Sequence, residues 1–125
     1  MQPHAIEPDL RLAERLFDRL RAASLDPPGV TRDAYGPGEE QAHALCIEAA
    51  RGIGLEITRD FAGNTYATLP GRDRSLRPLL TGSHLDSVRH GGNFDGAAGV
   101  IAGLAALSGL RAADVQPRAD VAVMM

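Results

Sequence analysis

Toward the end of the chain an apolar run, a small-residue helical pattern and a second apolar run follow one another, and this order constrains the fold most. The first run, Pro78-Leu79-Leu80-Thr81, is bounded by Gly82 and preceded by the polar, Arg-rich turn Gly71 to Arg77, so it reads as a buried strand. From Gly96 to Leu110 the sequence GAAGVIAGLAALSGL sets Val100, Ile101, Leu104 and Leu107 on one helical face, with small residues elsewhere that let a helix lie close to a sheet. The segment Ala119 to Met125 is strand-like again. Strand, helix, strand predicts a right-handed parallel crossover and hence an α/β fold. Open parallel sheets bind ligands beyond the carboxyl ends of their strands, and His84 follows such an end.

The stretch GSHLDSVRHGGNFDGAAGV, Gly82 to Val100, carries the chemistry. Neutral His84 can donate a lone pair to Zn²⁺ or a similar divalent ion, and a carboxylate can accept its other N–H and fix the tautomer. Asp86 is the candidate for that second role. Asp95 falls at the start of the helix, where the dipole favours its charge and its two oxygens can bridge two ions roughly 3.5–4 Å apart. The bland alternative is that Asp95 caps a helix and the glycines are turn punctuation, since one His and two Asp fall short of a full ligand set.

Other chemistries find less support. Cys46 is the sole cysteine, which excludes an internal disulfide, and it reads as a packed thiol on a helix from Glu39 to Gly52. No G-x-S-x-G elbow occurs, and the glycines around Asp95 match neither G-x-G-x-x-G nor a Walker loop. All 13 basic residues are Arg, but they are interspersed with 16 acidic residues for a net charge of −3, so no nucleic-acid partner is expected. No secretory signal or apolar run of ~20 residues is seen, so no membrane partner and a cytoplasmic location are expected.

The remainder reads as scaffold. Asp9 to Ala23 aligns Leu12, Leu16, Phe17 and Leu20 as a helix packed on the sheet, and Pro27-Pro28-Gly29 ends it. Leu55 to Asp60 and Thr65 to Leu69 form a hairpin candidate around Ala62-Gly63-Asn64. His4 and His43 are expected in solvent, and His90 is an outside candidate for touching substrate.

The segment GSHLDSVRHGGNFDGAAGV resembles the binuclear-metal amidases of the hydantoinase/carbamoylase type, which include N-carbamoyl-L-amino-acid hydrolases and allantoate amidohydrolases. Gly29-Val30-Thr31-Arg32, the helix near Glu39, Gly54-Leu55, Asp60 and Gly63-Asn64 follow in the order that family shows. The resemblance covers nearly the whole chain. It implies a zinc-peptidase-like catalytic domain with a mixed sheet flanked by helices, of which residues 1–125 are the amino-terminal portion, the lid and dimerisation domain lying outside it. It implies His84 as ligand to one metal, Asp95 as bridge between two, and a catalytic-site role for Asp86 in orienting His84. The cofactors implied are two divalent ions, Zn or Mn/Co, the substrate a small amide or ureido acid, and the full-length assembly a homodimer. A cis Asp95–Gly96 peptide is expected in the metal-loaded family. The family usually has Thr at Ser87, and its paired glutamates and two further His ligands follow the strand that ends here at Met125. The apolar ending VAVMM reads as a cut strand, so truncation is expected. A related aminoacylase or dipeptidase, and a truncated non-catalytic folding or interaction module, are the alternatives.

Overall fold

The computed structural model describes residues 5–125, and His4 falls outside them. Helix α1 (Leu10–Ser24) starts where Asp9 accepts a hydrogen bond from the Leu12 N–H at 2.9 Å. That bond, with a second from the Ser108 hydroxyl at 2.8 Å, holds the Asp9 carboxyl below the usual range. Leu12, Leu16 and Leu20 form its buried stripe. After it, β1 (Leu25–Asp26) and β2 (Gly29–Val30) pair as a short hairpin around Pro27-Pro28. The prolines do stop the helix, and they also make this turn, which the sequence reading omits.

Helix α2 (Pro37–Gly52) opens with Pro at its first position and Glu39 and Glu40 in its first turn, both favourable at a helix N-terminus. The expected hairpin follows as β3 (Glu56–Arg59) and β4 (Thr65–Leu69), antiparallel. Asp60 organises its loop by accepting from the Ala62 and Asn64 main-chain N–H groups and from Asn64 Nδ2. Strand β5 (Leu79–Gly82), helix α3 (Ala97–Ala112) and strand β6 (Val121–Met124) complete the chain, with β5 and β6 parallel. The sheet order is β3-β4-β6-β5, and β6 pairs antiparallel with β4, so the sheet is mixed as expected.

Helix α3 lies against β5 and β6 while α2 lies against β3 and β4. Helix α1 was expected on the sheet, but it packs across α2 and α3 instead, because those two helices already occupy the sheet surface its leucines would need. The small residues of α3 set its approach distance. A Cβ on Gly103 would come within 2.7 Å of Val123 Cγ2 and 3.3 Å of Thr81 Cγ2, and one on Gly99 within 2.7 Å of Ser83 Cβ. Val100, Ile101, Leu104 and Leu107 are buried in the core beneath.

Two burial expectations are corrected. The Pro78–Thr81 run is not a buried strand: among the described residues β5 is an edge strand laddered only to β6, and all four of its residues are exposed, Leu79 at 66% and Leu80 at 53%. His43 is not in solvent: it shares the inner face of α2 with Ala42, Cys46 and Ala50.

Cys46 is fully enclosed, and burial pushes its thiol up to about 12. Because the folded thiol holds its proton more tightly than the unfolded one, stability is expected to fall as pH rises from about 9 towards 12. In the native chain at pH 8 iodoacetamide should leave Cys46 unmodified, and denaturant should expose it. Mass spectrometry after timed alkylation checks this.

Candidate metal and active site

The site is built on the chain between the end of β5 and the start of α3. From Ser83 to Gly96 the backbone has no regular structure apart from a single bridge of Gly91 to Val30. Its path is held by buried contacts: the Arg32 side chain donates to Leu85 O at 2.7 Å and to Asn93 Oδ1 at 3.1 Å. The Ser87 N–H donates to Arg32 O at 2.8 Å. Sequence reading reached Arg32 only as one letter of a motif.

The loop brings the three predicted residues together. His84 Nδ1 lies 2.9 Å from Asp86 Oδ1 and 3.1 Å from Asp86 O. Both partners are acceptors, so Nδ1 carries a proton, and in the neutral ring Nε2 is then the nitrogen with the lone pair. Nε2 faces Asp95, with Oδ1 3.9 Å away. Among the described residues the Asp95 carboxylate has no hydrogen-bond donor, and half the His84 side chain is exposed.

The ring rests on Gly96, the residue that caps α3 at its N-terminus. Gly96 has φ 69°, and a Cβ there would lie 2.4–2.6 Å from Cε1, Nδ1 and Nε2 of His84. The cis peptide bond among the described residues is Pro27–Pro28, and Asp95–Gly96 is trans in this structure.

These donors suit a divalent ion. Two ligands each about 2.0–2.2 Å from one ion can stand up to ~4 Å apart, which accommodates the observed 3.9 Å. An imidazole with its second nitrogen fixed by a carboxylate is the usual metal-binding arrangement of histidine. The set is partial: no group of three or more His, Cys, Asp or Glu able to hold an ion occurs among the described residues.

A cleft of about 240 Å³ opens beside the pair, lined by His84, Asp86, Asn64, Glu39, His43 and Met125 among others. Glu39 and His43 were not expected there. Among the described residues His43 Nδ1 has no hydrogen-bond partner, Nε2 is 3.9 Å from Glu39, and burial pulls its pKa down against the opposing pull of Glu39. His90 is engaged elsewhere. Its Nδ1 is 3.1 Å from Asp26 O and its main-chain N–H donates to Thr31 Oγ1, so it joins the loop to the β1–β2 hairpin.

Residues 64–125, which hold β4 to β6 and the whole of the His84–Asp95 loop, match the sequence profile of peptidase family M28. Fold and sequence thus align the chain with hydrolases. More narrowly, it is similar to hydantoinase/carbamoylase amidases over most of its own length. It is 40% identical over 97 residues to an N-carbamoyl-L-amino-acid amidohydrolase of Paenarthrobacter aurescens, an alignment covering 75% of this chain and 24% of that protein. A ureidoglycolate hydrolase of Oryza sativa subsp. japonica is 33% identical over 113 residues, 90% of this chain and 23% of the relative. The crystal structure of a hydantoinase/carbamoylase family amidase from Burkholderia ambifaria superposes with a TM-score of 0.91 at 30% identity, over 97% of this chain and 30% of that one. The chain therefore spans about a quarter of the length of these curated relatives. Among the described residues no helix is long and apolar enough to cross a membrane.

Proposed function

We propose that this segment furnishes part of the catalytic domain of a metal-dependent amidase that cleaves a linear amide C–N bond in an N-carbamoyl amino acid or a ureido acid such as allantoate. The observation that carries the reading is the alignment of His84 Nε2 with Asp95 while Asp86 holds Nδ1. His84 and Asp95 are the residues of this chain that would hold divalent ions, Zn or Mn/Co. Such ions polarise a carbonyl and acidify a water when bound. In the neutral ring Asp86 holds the proton on Nδ1, which leaves the Nε2 lone pair facing Asp95. The cleft beside them is large enough for a small polar substrate and offers Asn64 and Glu39 as hydrogen-bonding groups. The same reading takes the whole protein as a cytoplasmic homodimer with neither nucleic acid nor membrane as partner. Its support is the family resemblance and a net charge of −3 with the arginines dispersed.

The match to a peptidase profile favours one second reading, a dipeptidase or aminoacylase. Ammonia release from N-carbamoyl-L-amino acids, allantoate and ureidoglycolate, assayed beside dipeptide and N-acyl substrates on the protein that carries this segment, separates the two. Asp86→Asn should lower kcat/KM about 10–100-fold, and His84→Asn and Asp95→Asn further still. Turnover confined to dipeptides would discard the amidase, and an unchanged His84→Asn enzyme would discard the site.

A further inference from the structure

Arg32 is the largest fully buried side chain of the fold. Among the described residues its guanidinium has no carboxylate partner in ion-pair range, and its acceptors are all neutral. Nε donates to Leu85 O at 2.7 Å, Nη1 to Ser24 Oγ and Asn93 Oδ1 at 3.1 Å each, and Nη2 to Asn93 O at 3.3 Å. Its main-chain N–H donates to Ser87 Oγ at 2.9 Å, and Asn93 Nδ2 donates onward to Phe17 O at 3.0 Å. Enclosing a cation is unfavourable: burial pulls the Arg32 pKa down against the opposing pull of the Asp86 and Asp95 charges, and an aliphatic side chain would fill the same space without that cost. What an aliphatic side chain cannot do is hold several acceptors at once. The planar fork of arginine does so in fixed directions.

The acceptors have a meaning in the loop. Leu85 sits between His84 and Asp86, and Asn93 precedes Asp95 by two residues. One rigid group therefore holds the loop next to both proposed ligands. We infer that Arg32 is the positioning residue of this site: its buried guanidinium ties the main chain beside His84 to the main chain beside Asp95 and so fixes their separation. The inference rests on the proposed function for the purpose of that separation.

The test uses the chain of these 125 residues, with Arg32→Lys and Arg32→Met. Lysine keeps the charge on a flexible stem that cannot span both acceptors, and methionine keeps bulk without donors. Imidazole ¹⁵N shifts of metal-free protein report the His84 tautomer, and Mn²⁺ titration reports broadening of the amides of residues 83–96. Both variants should shift His84 from Nδ1–H towards Nε2–H and raise the half-broadening Mn²⁺ concentration at least ten-fold. Leu107→Ala loosens the same core without touching the tie, so a purely structural role predicts that it moves the tautomer as far, and positioning predicts no change. Should either Arg32 variant fail to fold, Asn93→Ala, which removes the Nη1 acceptor on the Asp95 side, carries the same expectation. Native-like tautomer and Mn²⁺ response in the folded variants would overturn the inference. Equal Mn²⁺ uptake by the unmodified chain and His84→Ala would instead remove the metal reading, and the tautomer would still decide the tie.

Discussion

A polypeptide of these 125 residues alone is expected to bind Zn²⁺, Mn²⁺ or Co²⁺ no more tightly than about the millimolar range and to release no ammonia from N-carbamoyl amino acids or allantoate. Structural and catalytic sites for such ions use three or four protein ligands. Here His84 and Asp95 supply two, and no further group of His, Cys, Asp or Glu completes the set among the described residues. Both side chains are open to water, at 51% and 69% exposure, so an ion between them stays largely hydrated. Catalysis suffers in addition. Asp86 is committed to the His84 ring, and the lack of a poised general base typically forfeits about 10²–10⁴ in rate. Calorimetric titration with each metal, alongside an ammonia assay, checks both statements. Micromolar or tighter binding with turnover would mean that the chain supplies ligands beyond these two.

The part of the site that sequence reveals is the part built by local geometry. His84 and Asp86 stand two apart where a strand ends, and Asp95 stands where the next helix begins, so a single loop must bring them near one another. The observed 2.9 Å and 3.9 Å separations follow from that closure. Helix α3 was equally legible, because Val100, Ile101, Leu104 and Leu107 recur with the helical period and are all buried. What stayed hidden depends on neighbours distant in sequence. An apolar run such as Pro78–Thr81 reads as buried whether or not a second strand pairs with its outer edge, and among the described residues none does. Arg32 gives no periodic signal, since its loop partners lie 53 to 61 residues away. His43 did carry a signal that the reading overlooked: with Cys46 and Ala50 it repeats at the spacing of a buried helical stripe. The packing of α1 on α2 and α3 could not be read either, because an amphipathic face shows only that something covers it.

Gly96→Ala is expected to damage the site more than the fold. The new methyl would need to occupy space 2.4–2.6 Å from three atoms of the His84 ring, far inside van der Waals contact, so one of the two must move. The backbone at φ 69° and ψ −52° is anchored by the start of α3, whose Ala97 and Val100 are buried, whereas the His84 side chain is half exposed and free to swing outward. The ring therefore yields. In doing so it leaves Asp86, loses its fixed tautomer and turns Nε2 away from Asp95. The positive φ adds a backbone cost of order 1–3 kcal/mol for a residue with a Cβ. Denaturant titration should register that loss, while the Mn²⁺ response of the loop should weaken at least ~10-fold, as when a group orienting a metal ligand is removed. Gly92→Ala is the comparison, because a Cβ there meets nothing within 4 Å, and it should change stability by less than about 0.5 kcal/mol with Mn²⁺ uptake intact. If Gly96→Ala behaved like Gly92→Ala, the His84 ring would not rest on the helix start, and the alignment of Nε2 with Asp95 would need another cause.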